Sequence, residues 1–573
     1  MRLRYLHLQN YPPISDIKIC FSSGSPLGRE CAIRFVVGVN GSGKSNLLRA
    51  VAELFLALAD ARVPPFPITL VYELGERGKS GHFTFVVDCP GTKADAAVWV
   101  AEGWHWPDNE GEEIFSSAVR RLRETGQFDY FRFHITRGTW PQQPGIAMPA
   151  AVLAYTTGDL RPWHSVWNRN ENAQGSGLDN DEDVDPNDER PAGWTAAQER
   201  ALEAARQSKD SEIVQTAFQE NADSGDYRRP ILLDAMLLKC ALLAVVLPHM
   251  LNGESQQDEA LQKLLERGSW HHLVTVAFRS HLQINNWDRK LCETAQDWWL
   301  CAGDVISEPH PLETRRTLYF DLIGPLNVQD FQTQTTGLAA CATQGEALCA
   351  LLGGPNVSPF ELFTRLLKLY QSGLFSEVFL RLRSQPTQET VSVSSGQDIG
   401  VLRYEELSDG EQMVLGRMAL FHLLKGQKDA LLILDEPETH FNDKWKREIV
   451  DIIDDAIGDT ANDVLISTHS SIALSDVFNN EIVMVEKSAN GARVRSVNEL
   501  TFATDPSALM MTVFGAYDSI GKRAQEYIEK KLKQATGTAE EIRDLEKLIA
   551  HMGTGFYRSE LRTLLNTWRG ENA

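Results

Sequence analysis

The stretch that decides the fold is Gly38-Val39-Asn40-Gly41-Ser42-Gly43-Lys44-Ser45. Before it runs Ala32-Ile33-Arg34-Phe35-Val36-Val37, an apolar segment that reads as a buried strand. After it runs Asn46-Leu47-Leu48-Arg49-Ala50-Val51, which continues as an apolar helix to about Ala61. Strand, glycine-rich turn, Lys-Ser and helix form the context of a P-loop. Glycines let backbone N–H groups turn inward around phosphate oxygens. The helix N-terminus adds its partial positive charge. In this pattern Lys44 reaches the β- and γ-phosphates and Ser45 holds Mg²⁺. Asn40, Gly41, Ser42, Gly43, Lys44, Ser45 and Asn46 are the candidate nucleotide-binding residues.

Matching chemistry stands far downstream. Ala430-Leu431-Leu432-Ile433-Leu434-Asp435-Glu436 is an apolar strand ending in two carboxylates, the Walker B arrangement. Asp435 at the strand tip suits the Mg²⁺ shell beside Ser45. Glu436 is placed to polarise the attacking water as general base. About one helix earlier stands Leu407-Ser408-Asp409-Gly410-Glu411-Gln412. Another strand follows, Val464-Leu465-Ile466-Ser467-Thr468-His469-Ser470.

P-loop, Leu-Ser-x-Gly-Glu signature, Asp-Glu-Pro and Ser-Thr-His, in that order, resemble the ATP-binding-cassette (ABC) ATPase superfamily. The resemblance implies an α/β fold: an ABC-type P-loop head with a mixed sheet and flanking helices, a large mixed insert and a helical C-terminal tail. It implies a head-to-tail homodimer with ATP and Mg²⁺ sandwiched between copies. Ser408 and Gly410, at a helix N-terminus, would touch the γ-phosphate held by the partner protomer's P-loop. His469 would sense the γ-phosphate by hydrogen bonding. Glu438-Thr439-His440-Phe441 matches the loop that crosses the family's dimer interface. The family's inter-lobe glutamine stays unassigned, with Gln142 and Gln143 as candidates.

Within the superfamily, Ser45 and Leu407 lie too far apart for a transporter cassette. The Ser-Asp-Gly-Glu and Asp-Glu-Pro-Glu-Thr-His-Phe segments look like the branch containing RecF, SMC and OLD-type ATPases. Nothing sustains the heptads of a long coiled coil. No Asp-x-Asp follows His469, so the metal pair of an OLD-type nuclease is missing. A compact cassette with a large insert and a helical tail is similar to the PtuA-like ATPases of restriction-associated and retron/Septu-type antiphage systems. That resemblance implies a separate nuclease effector such as an HNH protein, with DNA or retron msDNA as nucleic-acid partner. The competing readings are a RecF-like repair ATPase that binds DNA directly and a soluble cassette serving a non-nuclease partner.

The totals set bounds. The chain has 573 residues, 43% hydrophobic and 23% charged, ordinary values for a globular protein of several domains. A formal net charge of −22 disfavours a protein that coats nucleic acid over its whole surface, though not one with a local basic groove. Eight scattered cysteines without a Cys-x-x-Cys pair suggest reduced cytosolic thiols. The longest apolar run, Ile231 to Leu247, carries Asp234 and Lys239 and is too short to span a bilayer. The N-terminus is unlike a secretory signal. A cytoplasmic location without membrane attachment is expected.

The expected division is residues 1–160, the ATPase lobe with Walker A; 161–400, an inserted, mainly helical domain with some strands; 401–500, the lobe with signature, Walker B and switch histidine; and 501–573, the helical tail. Strands are expected before residue 37, over Ile68–Glu73, His82–Asp88, Ala151–Thr156, Leu273–Phe278 and Thr317–Leu322. Helices are expected over Trp194–Gln207, Ile231–Leu251, Glu259–Arg267 and Pro359–Leu380, and as four segments between Ser507 and Trp568. The acidic run Asp179–Asp185 fails as a calcium loop: position six is Val184, not glycine, and position twelve is Arg190, not glutamate. It reads as a solvated loop. Basic clusters at Lys522-Arg523, Lys530-Lys531 with Lys533, Arg558 with Arg562, and Lys444, Lys446 and Arg447 read as solvated helix faces, the sharper alternative being a phosphate- or partner-binding surface on the assembled dimer.

Overall fold

The apolar strands that carry the motifs lie side by side in the computed structural model, which describes residues 1–21, 27–60, 63–91, 96–103, 106, 129–133, 148–168, 229–251, 261–262, 265, 270–281, 287, 289–309, 314–326, 338–384, 401–488, 491–515, 520–534, 537–553 and 556–571. In chain order, β1 (Arg2–Tyr11) and β2 (Ile14–Cys20) precede β3 (Ala32–Val37) and α1 (Lys44–Ala59). Next come β4 (Pro67–Leu74), β5 (Phe83–Pro90), β6 (Ala96–Glu102), β7 (Asp129–Phe133), β8 (Ala151–Thr156), α2 (Arg161–Trp167), β9 (Ile231–Leu233) and α3 (Ala235–Leu251). The middle of the chain supplies β10 (Trp270–His281), α4 (Arg289–Cys301), β11 (Asp304–Pro309), β12 (Thr314–Asp321), α5 (Gln344–Leu351), α6 (Pro359–Gln371), β13 (Glu377–Ser384) and β14 (Val401–Arg403). Then follow α7 (Asp409–Leu423), β15 (Ala430–Asp435), α8 (Asp443–Ile457), β16 (Asp463–Thr468), α9 (Ser471–Leu474), β17 (Ile482–Ser488), β18 (Gly491–Ser496) and α10 (Pro506–Thr512). The tail is α11 (Lys522–Gln534), α12 (Ala539–His551) and α13 (Phe556–Glu571).

The central sheet has the order β18-β17-β3-β16-β15-β8-β9 and is parallel except at β18. Its strands alternate between two buried faces. Leu431, Ile433 and Leu465 join α1 and the antiparallel sheet β2-β1-β4-β5-β6-β7 in one core. Leu432, Leu434, Val464 and Ile466 join α3, α7 and α8 in the other. A parallel sheet needs this cover on both faces, which is why its strands read as mainly apolar runs, with buried Arg34 of β3 paired to Asp463 of β16. The result is a head of the mixed α/β class in which the glycine turn leaves a parallel sheet covered on both faces. A third sheet, β11-β12-β10-β13-β14, packs its inner face around Phe278, Trp298, Phe320 and Phe375. Trp298 is buried there, whereas its neighbour Trp299 is exposed with Arg316 over its ring.

Two expected helices are shorter than the sequence suggests. Ile231–Leu233 is a strand paired with β8, and the helix begins only after Asp234, whose carboxylate accepts the Leu237 amide at 2.8 Å. A run apolar on every side carries no period to separate strand from helix. Pro359–Leu380 breaks at Gly373, left-handed at φ 79°, after which β13 starts. β9 therefore extends the central sheet from within residues 161–400, the expected insert, and β14 pairs back onto β13. The acidic run, Trp194–Gln207 and Gln142-Gln143 lie outside the described residues, as does most of Glu259–Arg267. The tail helices enclose their own small core of Ile528, Leu545, Ile549, Leu561, Leu565 and Trp568. Among the described residues no helix is long and apolar enough to cross a membrane.

Candidate functional site

Strand register gathers the motifs at one edge. Val37 pairs with Thr468, Ser467 with Asp435, and Asp435 with Thr156, so four adjacent parallel strands end together. The carboxyl edge of such a sheet is where α/β folds bind ligands. The glycine turn leaves β3 at this edge and enters α1 through Gly43, left-handed at φ 103°. A Cβ on Gly38 would collide with the Val485 carbonyl, so β17 forms the floor of the turn. No side chain caps α1. Its first amides therefore remain available to an anion.

Lys44 lies buried beneath the turn and donates to the carbonyls of Gly38, at 3.0 Å, and Val39, at 3.4 Å. Burial pushes its ammonium pKa down, while the carboxylates of Glu436, Asp435 and Glu438 oppose that shift. Ser42 Oγ is buried with no hydrogen-bond partner. A buried hydroxyl and a lysine held only by loop carbonyls suit a phosphate chain. Asn40 is exposed at the rim, and Asn46 donates to the Pro12 carbonyl rather than into the turn.

Asp435 receives three hydroxyls. Ser45 donates to its Oδ1 at 2.9 Å, Ser467 to Oδ1 at 2.6 Å and Thr156 to Oδ2 at 3.2 Å. Ser45 and Asp435 are thus adjacent, as a shared Mg²⁺ site needs. Mg²⁺ keeps most of its shell as water and phosphate, so one hydroxyl and one carboxylate suffice from the protein. Glu436 is left-handed at φ 52°, a conformation costing about 1–3 kcal/mol in a non-glycine residue. Its amide donates to the Ser467 carbonyl at 3.1 Å and hydroxyl at 3.0 Å, and its carbonyl accepts from Thr157 Oγ1 at 2.9 Å. These bonds hold the strained residue in place. His469 Nε2 lies 2.9 Å from Glu436 Oε1. That hydrogen bond, more than the nearby charges, holds the Glu436 carboxyl below the usual carboxylate range against partial burial.

Ser408 is not part of this cluster in its own protomer. It is the N-cap of α7, accepting the Glu411 amide at 3.4 Å and donating to Glu411 Oε2 at 2.7 Å, while Glu411 accepts the Ser408 amide at 2.9 Å. This reciprocal box leaves Ser408 exposed at the helix tip, with Gly410 on the first turn. These bonds all stay within the first turn of α7.

Sequence reasoning missed several residues that shape the site. Ser467 stood within a quoted motif without a role, and Thr156 ended a predicted strand. Glu438, quoted in the loop after Walker B without a role of its own, is buried, accepts the Thr468 hydroxyl and, at 3.3 Å, the His469 amide, and has its pKa raised by burial. It ties the loop after Walker B to the switch strand. Lys487, at the end of β17, sets its Nζ 3.1 Å from where a Cβ on Gly41 would stand. No local signal marks that lysine.

A family model described as "AAA domain, putative AbiEii toxin, Type IV TA system" matches residues 366–476, and one described as "AAA domain" matches residues 1–64. These segments hold the signature, Walker B and switch motifs, and the P-loop. No curated protein matches the chain. Similar solved structures include the SMC head domain from Thermotoga maritima, at 10% identity and TM-score 0.26, covering 87% of this chain and 100% of that one. Another is the SmcHead bound to the C-winged helix domain of ScpA, at 10% identity and TM-score 0.30, covering 86% and 98%. A third is the Smc head domain with an extended coiled coil bound to the C-terminal domain of ScpA, derived from Pyrococcus furiosus, at 13% identity and TM-score 0.28, covering 86% and 95%.

Proposed function

We propose that this chain is an Mg²⁺-dependent ATPase that works as a dimeric switch. The P-loop of each copy binds ATP, and the signature of the other copy closes over it. The observation that carries this reading is the junction of P-loop and Walker B, with Ser45 on Asp435 at 2.9 Å and Lys44 buried beneath the glycine turn. Ser45 and Asp435 would hold Mg²⁺, which when bound screens phosphate charge. Lys44, Ser42 and the bare amides of α1 would orient the triphosphate. Glu436 would take a proton from the attacking water. His469 occupies Glu436 in this arrangement, and a γ-phosphate offers the imidazole a second partner. Transfer of His469 to that phosphate would release the carboxylate to act as base, so the pair idles until ATP arrives.

We further infer that the switch controls a separate nuclease effector, such as an HNH protein, in an antiphage system of the retron/Septu or restriction-associated kind, with DNA or retron msDNA as nucleic acid. The support is the order of motifs, the compact cassette with its large insert, and the AAA-domain match over residues 366–476. Affinity purification from the native host tests it. The expected result is a nuclease that co-elutes and is released or activated when ATP turns over. Salt-sensitive DNA binding by the chain alone would instead favour the RecF-like reading.

A further inference from the structure

We propose that Arg417 couples the two ATP sites of the assembled pair. It would do so by tying the signature helix of a protomer to the loop that follows the same protomer's Glu436. The inference rests on the dimer reading above. In that dimer, α7 of a protomer serves the partner's ATP while its Glu436 serves its own.

Arg417 lies two turns into α7 and is fully buried. A buried guanidinium is costly unless its donors are met. Here its donors go to the loop and the sheet. Nη1 donates to the Pro437 carbonyl and, at 2.9 Å, to the Thr439 carbonyl. Nε donates to Tyr155 Oη at 3.2 Å, on β8 of the nucleotide sheet. The guanidinium also sits 4.5 Å from the Phe441 ring centroid. The segment it grips is bracketed by two left-handed non-glycine residues, Glu436 at φ 52° and His440 at φ 70°. The His440 carbonyl in turn lies 3.9 Å from where a Cβ on Gly410 would stand, so the loop also reaches the tip of the signature.

The left-handed backbone at both ends is held by its surroundings, the bonds from Arg417 among them. Arg417 Nη2 is buried without an acceptor, a spare donor for a second arrangement. If the partner's γ-phosphate draws the N-terminus of α7, the rigid helix carries Arg417 with it. The Pro437 and Thr439 carbonyls must then follow, and Glu436 is the residue next to Pro437. Arg417 is thus a positioning residue: it touches no nucleotide and acts on Glu436 through the loop.

The test uses the full chain with MgATP. Wild-type turnover should rise cooperatively with ATP, with a Hill coefficient above 1. R417K keeps the charge but replaces a planar fork, whose bonds leave from both Nε and Nη1, by a single nitrogen that does not match those positions. It should bring the Hill coefficient to 1 and lower kcat on the order of 10- to 100-fold, with nucleotide affinity of the isolated protomer unchanged. Y155F removes only one acceptor, so it should move the same readings by less and decides the matter should R417K fail to fold. Unchanged cooperativity and kcat in R417K, or in Y155F if R417K does not fold, would overturn the coupling. So would a wild-type Hill coefficient of 1 alongside an intact ATP-driven E436Q dimer, which leaves the dimer reading standing. Absence of any such dimer removes that reading itself.

Discussion

α1 and α7 both start beside a glycine and a serine, yet their first turns are finished in opposite ways. α1 enters from left-handed Gly43 with no side-chain cap. α7 is closed by the Ser408–Glu411 box. A bare N-terminus buried beside a lysine needs an anion to satisfy it. A capped and exposed N-terminus is stable alone, and its dipole and hydroxyl can still meet a phosphate brought by another molecule. On the proposed reading, the first helix binds nucleotide within a protomer and the second meets the partner's nucleotide.

The largest way to break this comparison is at the bare end. K44A should lose ATP binding by about 100-fold or more, the loss of a charge-assisted bond worth about 3 kcal/mol; calorimetry that finds unchanged affinity would remove the P-loop role. E436Q should bind ATP normally while turnover falls about 10²- to 10⁴-fold. Near-normal phosphate release would exclude Glu436 as base. At the capped end, S408R should leave ATP binding to the protomer intact and cost about 1 kcal/mol of cap stability, yet block closure. Equal melting losses and equal binding losses in S408R and K44A would erase the distinction between the two helices.

The smallest effect concerns pH. His469 holds the Glu436 carboxyl below its usual range, and partial burial opposes it. A depressed carboxylate is ionised, and stabilising, above its unfolded pKa, and that contribution disappears as pH falls through the folded value. In H469A the depression goes and burial remains, so the acid limb of residual turnover should move to higher pH. A limb that stays in place would show that the hydrogen bond does not set the carboxyl's pKa.

The P-loop and Walker B motifs were legible because phosphate chemistry dictates residue types at fixed spacings, and β3, β8, β15 and β16 are mostly apolar. Ala151–Thr156 was read to the residue. Periodicity gave no help where burial is complete, as at Ile231–Leu233, or where a glycine turns helix into strand, as at Gly373. β17 and β18 were not anticipated, although β17 forms the floor of the P-loop. Arg417 was invisible for a different reason. An arginine within an apolar helix has no local signature, and its meaning lies in carbonyls that only the folded chain brings to it.

The molar mass of E436Q in solution, with and without MgATP, tests the central claim most directly. The account predicts a monomer without nucleotide, a dimer with MgATP, and a monomer again when S408R is added to the ATP-loaded protein. ATP-loaded E436Q that stays monomeric, or a dimer that survives S408R, would contradict it.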